Sequence, residues 1–107
     1  MEATDFLHSK LTDRLKEFTI DEDLVRSKFV LTSNIRIYIN YNNYDQYSYV
    51  ILYSPDPMDR IIIDNYDELW EVKSKPNHIH SRYEKEGKET KFTGDPTKDM
   101  ALLITLI

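Results

Sequence analysis

The spacing of apolar positions changes twice along the chain, from a helical period to a period of two and back. Leu7, Leu11, Leu15 and Phe18 recur at spacings of four, four and three. Side chains so spaced share one helical face, which predicts a helix over residues 4–18. Thr4 stands where its hydroxyl can cap the first turn. His8 falls beside the apolar stripe, and a surface histidine without special role is the expectation for it.

From residue 25 the alternation is strand-like. Ile35, Ile37, Ile39 and Tyr41 interleave with Arg36, Tyr38 and Asn40, so an extended chain sends the first set to one face and the second to the other. Strands are predicted over residues 25–31, 35–41, 47–53 and 60–64. Turns fall at Thr32-Ser33-Asn34 and at Ser54-Pro55-Asp56-Pro57, where proline fixes φ and offers no ladder donor. Shorter strands over residues 69–73, 78–84 and 88–92, with a turn at Glu86-Gly87, extend the antiparallel meander. Asp95 or Thr97 then caps a helix whose first turn tolerates Pro96. Its continuation, MALLITLI over residues 100–107, has almost no polar face, and so needs cover from the sheet or from a partner such as a second copy of the chain. The fold class that follows is α+β, with an N-terminal helix and a C-terminal helix packed on a twisted antiparallel sheet of about five strands, in a single domain over residues 1–107.

Composition narrows the function classes. Charged residues make up 31% of the chain and hydrophobic ones 40%, a balance that suits a folded globular domain. No cysteine is present, which excludes disulfides, thiolate zinc sites and cysteine nucleophiles. The N-terminal MEATDFLHSK lacks a basic stretch followed by an apolar run, and no segment is apolar over a membrane-spanning length, so a cytoplasmic location and no membrane partner are the expectation. With 14 basic against 19 acidic residues the formal charge is −5, and an anionic ligand can be held only by a local patch. Lys73, Lys75, Lys85, Lys88, Lys91 and Arg82 form the one such patch that the linear sequence suggests.

Two of the three histidines lie within it, in KPNHIHSRY. On a strand His78, His80 and Arg82 would share a face. Two imidazoles and a guanidinium suit phosphodiester chemistry, in which one ring takes a proton, the other gives one, and the cation holds the phosphate. A ribose 2′-hydroxyl as internal nucleophile would make metal and cofactor unnecessary. His-x-His is equally compatible with a solvated strand face, and, completed by Asp64 or Glu71, with a two-histidine metal site. Tyr41, Tyr44, Tyr47 and Tyr49 could stack bases, although strand packing is the commoner use of such residues.

The segment DNYDELWEVKSKPNHIH, residues 64–80, resembles the signature of the TumE-like toxin family of toxin–antitoxin systems. Asp64 and Asn65 match that family's Asp-Asn pair after a strand, Pro76 its proline, and His78 and His80 its closing His-x-His. Tyr47-Ser48-Tyr49 is similar to the aromatic strand before the pair, Arg60 falls where the family often has arginine, and Thr97 precedes a leucine-rich C-terminal helix. The chain departs from the family where Tyr66-Asp67-Glu68-Leu69 replaces Ala-Pro-His-His, and where Asn77 replaces a further histidine. The resemblance implies a toxin encoded beside a helix-turn-helix antitoxin protein; action on RNA is the expectation that the histidine chemistry adds to it. On this reading His80 is the general base and His78 the general acid. Asp64 orients an imidazole, Arg82 and Arg60 stabilise phosphate, and Lys75 and Tyr83 add to substrate binding. The reading from another class is a non-catalytic interaction module that binds an antitoxin-like partner or oligomerises through its apolar C-terminus, a reading that the negative charge favours.

Overall fold

The computed structural model describes residues 2–42, 44–66 and 71–107. Helix α1, Glu2–Leu11, buries Ala3, Thr4, Leu7 and Leu11 along one face. It ends earlier than its apolar spacing predicts. Thr12 donates its hydroxyl to the carbonyl of His8 at 2.8 Å, a single 3-10 turn follows over Thr12–Arg14, and the chain then runs extended as β1, Leu15–Asp21. Phe18 lies opposite Phe29 of the next strand, with ring centroids 5.0 Å apart. Leu15 and Phe18 therefore reach the core from a strand: cross-strand pairing outweighed a helical spacing that had no intrinsic claim on β-prone Phe18, Thr19 and Ile20. His8 is half-buried, its ring edge-on to Phe18 at 4.8 Å.

Five more strands follow: β2 Arg26–Leu31, β3 Arg36–Tyr41, β4 Tyr47–Leu52, β5 Arg60–Asp64 and β6 His78–His80. All pair antiparallel in sequence order, giving a six-stranded meander where the alternation predicted about five. The turns at residues 32–34 and 54–57 fall as expected. Asn34 closes the first at φ 70°, a left-handed conformation that asparagine tolerates. The strand expected over 78–84 stops at His80. Tyr83 takes φ 62°, which breaks the extended run, and residues 88–92 contribute only the bridge of Lys88 to Ile79. Residues 71–73 form no strand; the first two positions of that expected strand, 69 and 70, lie outside the described residues.

Period two decides where the core sits. Phe29, Leu31, Ile37, Ile39, Tyr47, Tyr49, Ile51, Ile61 and Ile63 point to one face, where they meet Leu7 and Leu11 of α1, Phe92, and Met100 and Leu103 of α2, Pro96–Ile104. Asp95 caps α2, its carboxylate accepting from the backbone of Thr97 and Lys98, and Pro96 occupies the first turn. Leu102, Ile104, Leu106 and Ile107 pack against the same core. The apolar C-terminus thus finds cover within its own chain.

A buried carboxylate ties α2 to the sheet. Asp99 is fully buried and accepts hydrogen bonds from the Tyr49 hydroxyl at 2.7 Å, from Thr93 N at 3.0 Å and from Gly94 N at 2.7 Å. With the Tyr49 proton directed at Asp99, Tyr41 donates to the Tyr49 oxygen at 2.5 Å. Gly94 sits at φ 94°, where an added Cβ would lie 3.1 Å from the Tyr47 ring; the turn holding two of these donors therefore requires glycine. Among the described residues no helix is long and apolar enough to cross a membrane.

Candidate functional site

Asp64, the last residue of β5, is directly opposite His78, the first of β6. Residues opposite one another in a ladder project to the same face, and His78 Nε2 lies 3.1 Å from Asp64 Oδ1. The other ring nitrogen, Nδ1, lies 3.2 Å from the carbonyl of Pro76. Both partners are acceptors. A neutral imidazole can donate to one of them, whereas the imidazolium donates to both. His78 is only 1% exposed, so this ring is a buried, oriented group.

His80 lies two residues on, opposite Ile62, and its ring meets that of His78 edge-on with centroids 5.0 Å apart. Its Nδ1 lies 3.0 Å from the carbonyl of Lys85. A carbonyl can only accept, so Nδ1 carries the proton and Nε2 carries the lone pair of the neutral ring. Half-buried His80 is the more accessible of the two imidazoles.

Asn65 has a supporting role. Its Oδ1 accepts from Tyr47 N at 2.9 Å and its Nδ2 donates to the Asp45 carbonyl at 2.9 Å, fixing the entry to β4 beside the exit from β5. Asn77 accepts from the Tyr47 hydroxyl at 2.8 Å, and Ser74 bonds both the Asn77 carbonyl and Thr90 N, closing the turn that leads into β6. The Asp-Asn pair and the Pro-x-His-x-His run, 10 or more residues apart in sequence, therefore meet across the β5–β6 ladder.

The remaining expected groups are placed elsewhere. With β6 ending at His80, the alternation that would have put Arg82 beside the imidazoles no longer applies. Arg82 Nε instead pairs with Asp59 Oδ1 at 2.6 Å, and its guanidinium lies 4.1 Å from the Tyr53 ring centroid. This pairing holds the Asp59 carboxyl below its ordinary range. Arg60 is buried and donates to the carbonyls of Ser81 and Glu84 at 2.6 and 2.7 Å; it fastens the turn after β6. Lys75 pairs with Glu71 at 3.0 Å and Lys88 with Glu84 at 2.5 Å. Tyr83 is exposed. Glu71 has Lys75 as its partner, and among the described residues no group of three or more histidines and carboxylates is placed to hold a metal ion.

No family model, curated protein or solved structure matches this chain. The site is accordingly read from its own chemistry. Positions 67–69, three of those at which the chain departs from the signature it resembles, lie outside the described residues, whereas Tyr66 is exposed two residues beyond β5.

Two sets of residues carry more than their sequence context suggested. Tyr47 and Tyr49 are buried and Tyr41 is half-buried, all in the core network. Among the described residues, Tyr38 and Tyr66 lie on the opposite face. The cations that β2 and β3 place on that face, Arg26, Lys28 and Arg36, come from strands whose alternation was legible, but their proximity depends on the register of β2 against β3.

Proposed function

We propose that this chain is the toxin component of a toxin–antitoxin pair and acts on RNA by metal-independent cleavage. The observation that carries the reading is the Asp64–His78–His80 constellation, in which one imidazole is held by a carboxylate and its neighbour has a defined basic nitrogen. Nε2 of His80 takes the 2′-hydroxyl proton as that oxygen attacks phosphorus. The 5′-oxygen leaves with the Nδ1 proton of the His78 imidazolium while Nε2 stays on Asp64, and because His78 is 1% exposed and its Nδ1 faces the Pro76 carbonyl, this second transfer requires a local opening that frees Nδ1. Asp64 orients His78 and balances its charge. Arg60 and Arg82 act on the scaffold in this scheme, since each guanidinium already has protein partners.

A second reading is supported by the backbone carbonyls that face both Nδ1 atoms. Histidines so placed also hold the β6 turn, and if that is their whole role the chain is a non-catalytic module for an antitoxin-like protein. Expression of the parent, His80→Ala and His78→Ala chains separates the two. The cleavage reading expects growth arrest and RNA cleavage by the parent, with cleavage falling about a hundredfold or more in His80→Ala. Unchanged toxicity in both variants sinks the catalytic role; a harmless, non-cleaving parent supports the module.

A further inference from the structure

Among the described residues, the helices cover one face of the sheet and leave the other face of β2–β5 without a helix. Register organises that open face into rows. Arg26, Asn40, Ser48, Asp64 and His78 are successive cross-strand neighbours, and so are Lys28, Tyr38, Val50, Ile62 and His80. Each row therefore runs from a cation on β2 to one histidine of the candidate site. At a strand spacing of about 4.8 Å, each spans roughly 19 Å.

The floor of this face is a groove of about 580 Å³, lined by Arg26, Tyr38, Asn40, Ser48, Val50 and Tyr66 among others. Its chemistry is that of a nucleotide seat. Aromatic rings offer stacking surfaces to any base, an amide and a hydroxyl offer hydrogen bonds to base edges, and a guanidinium offers a phosphate contact.

Charge selects the occupant. The chain is acidic overall, and of the six cations around the histidines Lys75, Lys88 and Arg82 each have a carboxylate partner, while Lys73, Lys85 and Lys91 have none among the described residues. Arg26, Lys28 and Arg36 of the open face have no such partner among the described residues; Lys28 lies over the Tyr38 ring at 5.9 Å. Of the acids on the same face among the described residues, Asp64 pairs with His78 and Asp21, opposite Arg26, accepts from Leu24 N at 3.1 Å, whereas Glu17, opposite Val30, stands on the outer strand β1. An anionic ligand with flat rings fits this surface better than an acidic protein or a second copy, whose own three cations would oppose it.

We propose that the open face seats single-stranded RNA, with Tyr38 and Tyr66 stacking bases and Arg26, Lys28 and Arg36 taking phosphates, and delivers it along the rows to His80. This inference rests on the reading of the chain as RNA-directed, and deepens it by assigning the binding surface.

The test is fluorescence anisotropy of a labelled single-stranded RNA of mixed sequence, titrated with the parent, Tyr38→Ala, Tyr66→Ala, Arg26→Glu and His80→Ala chains. Circular dichroism melts identify any variant that fails to fold, and Arg26 and Tyr66 are exposed enough to be replaced without disturbing the core. The three face variants are expected to weaken binding roughly tenfold or more. For three phosphate contacts the parent's log affinity should fall with log salt at a slope of about −2, less steep in Arg26→Glu. Absence of binding by the parent overturns the proposal, as does unchanged affinity in all three face variants. A parent dimer that Arg26→Glu and Tyr38→Ala dissociate overturns it in favour of a protein occupant. Toxicity unchanged in His80→Ala, with face-dependent binding intact, removes the catalytic reading alone.

Discussion

Asp99 shows how much one residue can hold. It is a fully buried carboxylate on a helix whose sequence reads as apolar, and it gathers the Tyr49 hydroxyl and two backbone N–H groups. Asp99→Ala leaves these buried donors without an acceptor and is expected to cost about 3 kcal/mol, read as a lower urea midpoint at unchanged slope. The tyrosines around it bear on alkaline stability. Burial pushes Tyr41 up to about 12, and Tyr47 and Tyr49 are raised further by the same cause. In the unfolded chain these phenols ionise near 10. Between those values the native state holds more protons than the unfolded one, so their contribution is complete below about pH 10 and is lost as pH rises through about 12. Tyrosinate absorbance from this cluster should therefore appear together with the loss of circular dichroism; its appearance in a chain still folded near pH 10 contradicts the placement of the cluster in the core. Little of this network was legible in the sequence, because nothing in the local spacing of Tyr41, Tyr49 and Asp99 brings them together.

At the scale of elements, β6 is the informative case. It is three residues long, at the edge of the sheet, and carries both histidines. Period two correctly placed His78 and His80 on one face but carried the strand on to residue 84. Tyr83 at φ 62° and the hold of Arg60 on the Ser81 and Glu84 carbonyls turn the chain away instead. Arg60→Ala is expected to loosen this turn, with faster amide hydrogen exchange at Ile79 and Lys88, the two residues of the bridge beside it. Exchange rates unchanged at both amides would show that the bridge stands without the guanidinium. The helix expected over residues 4–18 failed for a related reason: its apolar spacing was real, yet β-prone residues 18–20 gained more by pairing with β2 than by continuing the helix.

Across the whole molecule, the C-terminus illustrates a choice that the sequence left open. MALLITLI read equally as core or interface, and the fold packs Met100, Leu103, Leu106 and Ile107 against one core, with the Tyr53 hydroxyl donating to the Leu106 carbonyl. Deleting Leu106 and Ile107 is thus expected to lower the melting temperature by several degrees, about 2 kcal/mol of lost burial, without shifting elution on gel filtration. A shift to smaller apparent size at unchanged melting temperature would make this end an interface. The alternation of apolar residues by itself determined the α+β class, the meander and which faces of β2–β5 are buried, because those depend on local periods that any extended chain must obey. The Asp64–His78 pair, the engagement of Arg60 and Arg82 by the scaffold, and the gathering of Arg26, Lys28 and Arg36 on the uncovered face were decided only by tertiary structure. Each of these depends on register and on contacts between residues distant in sequence, which no local period encodes.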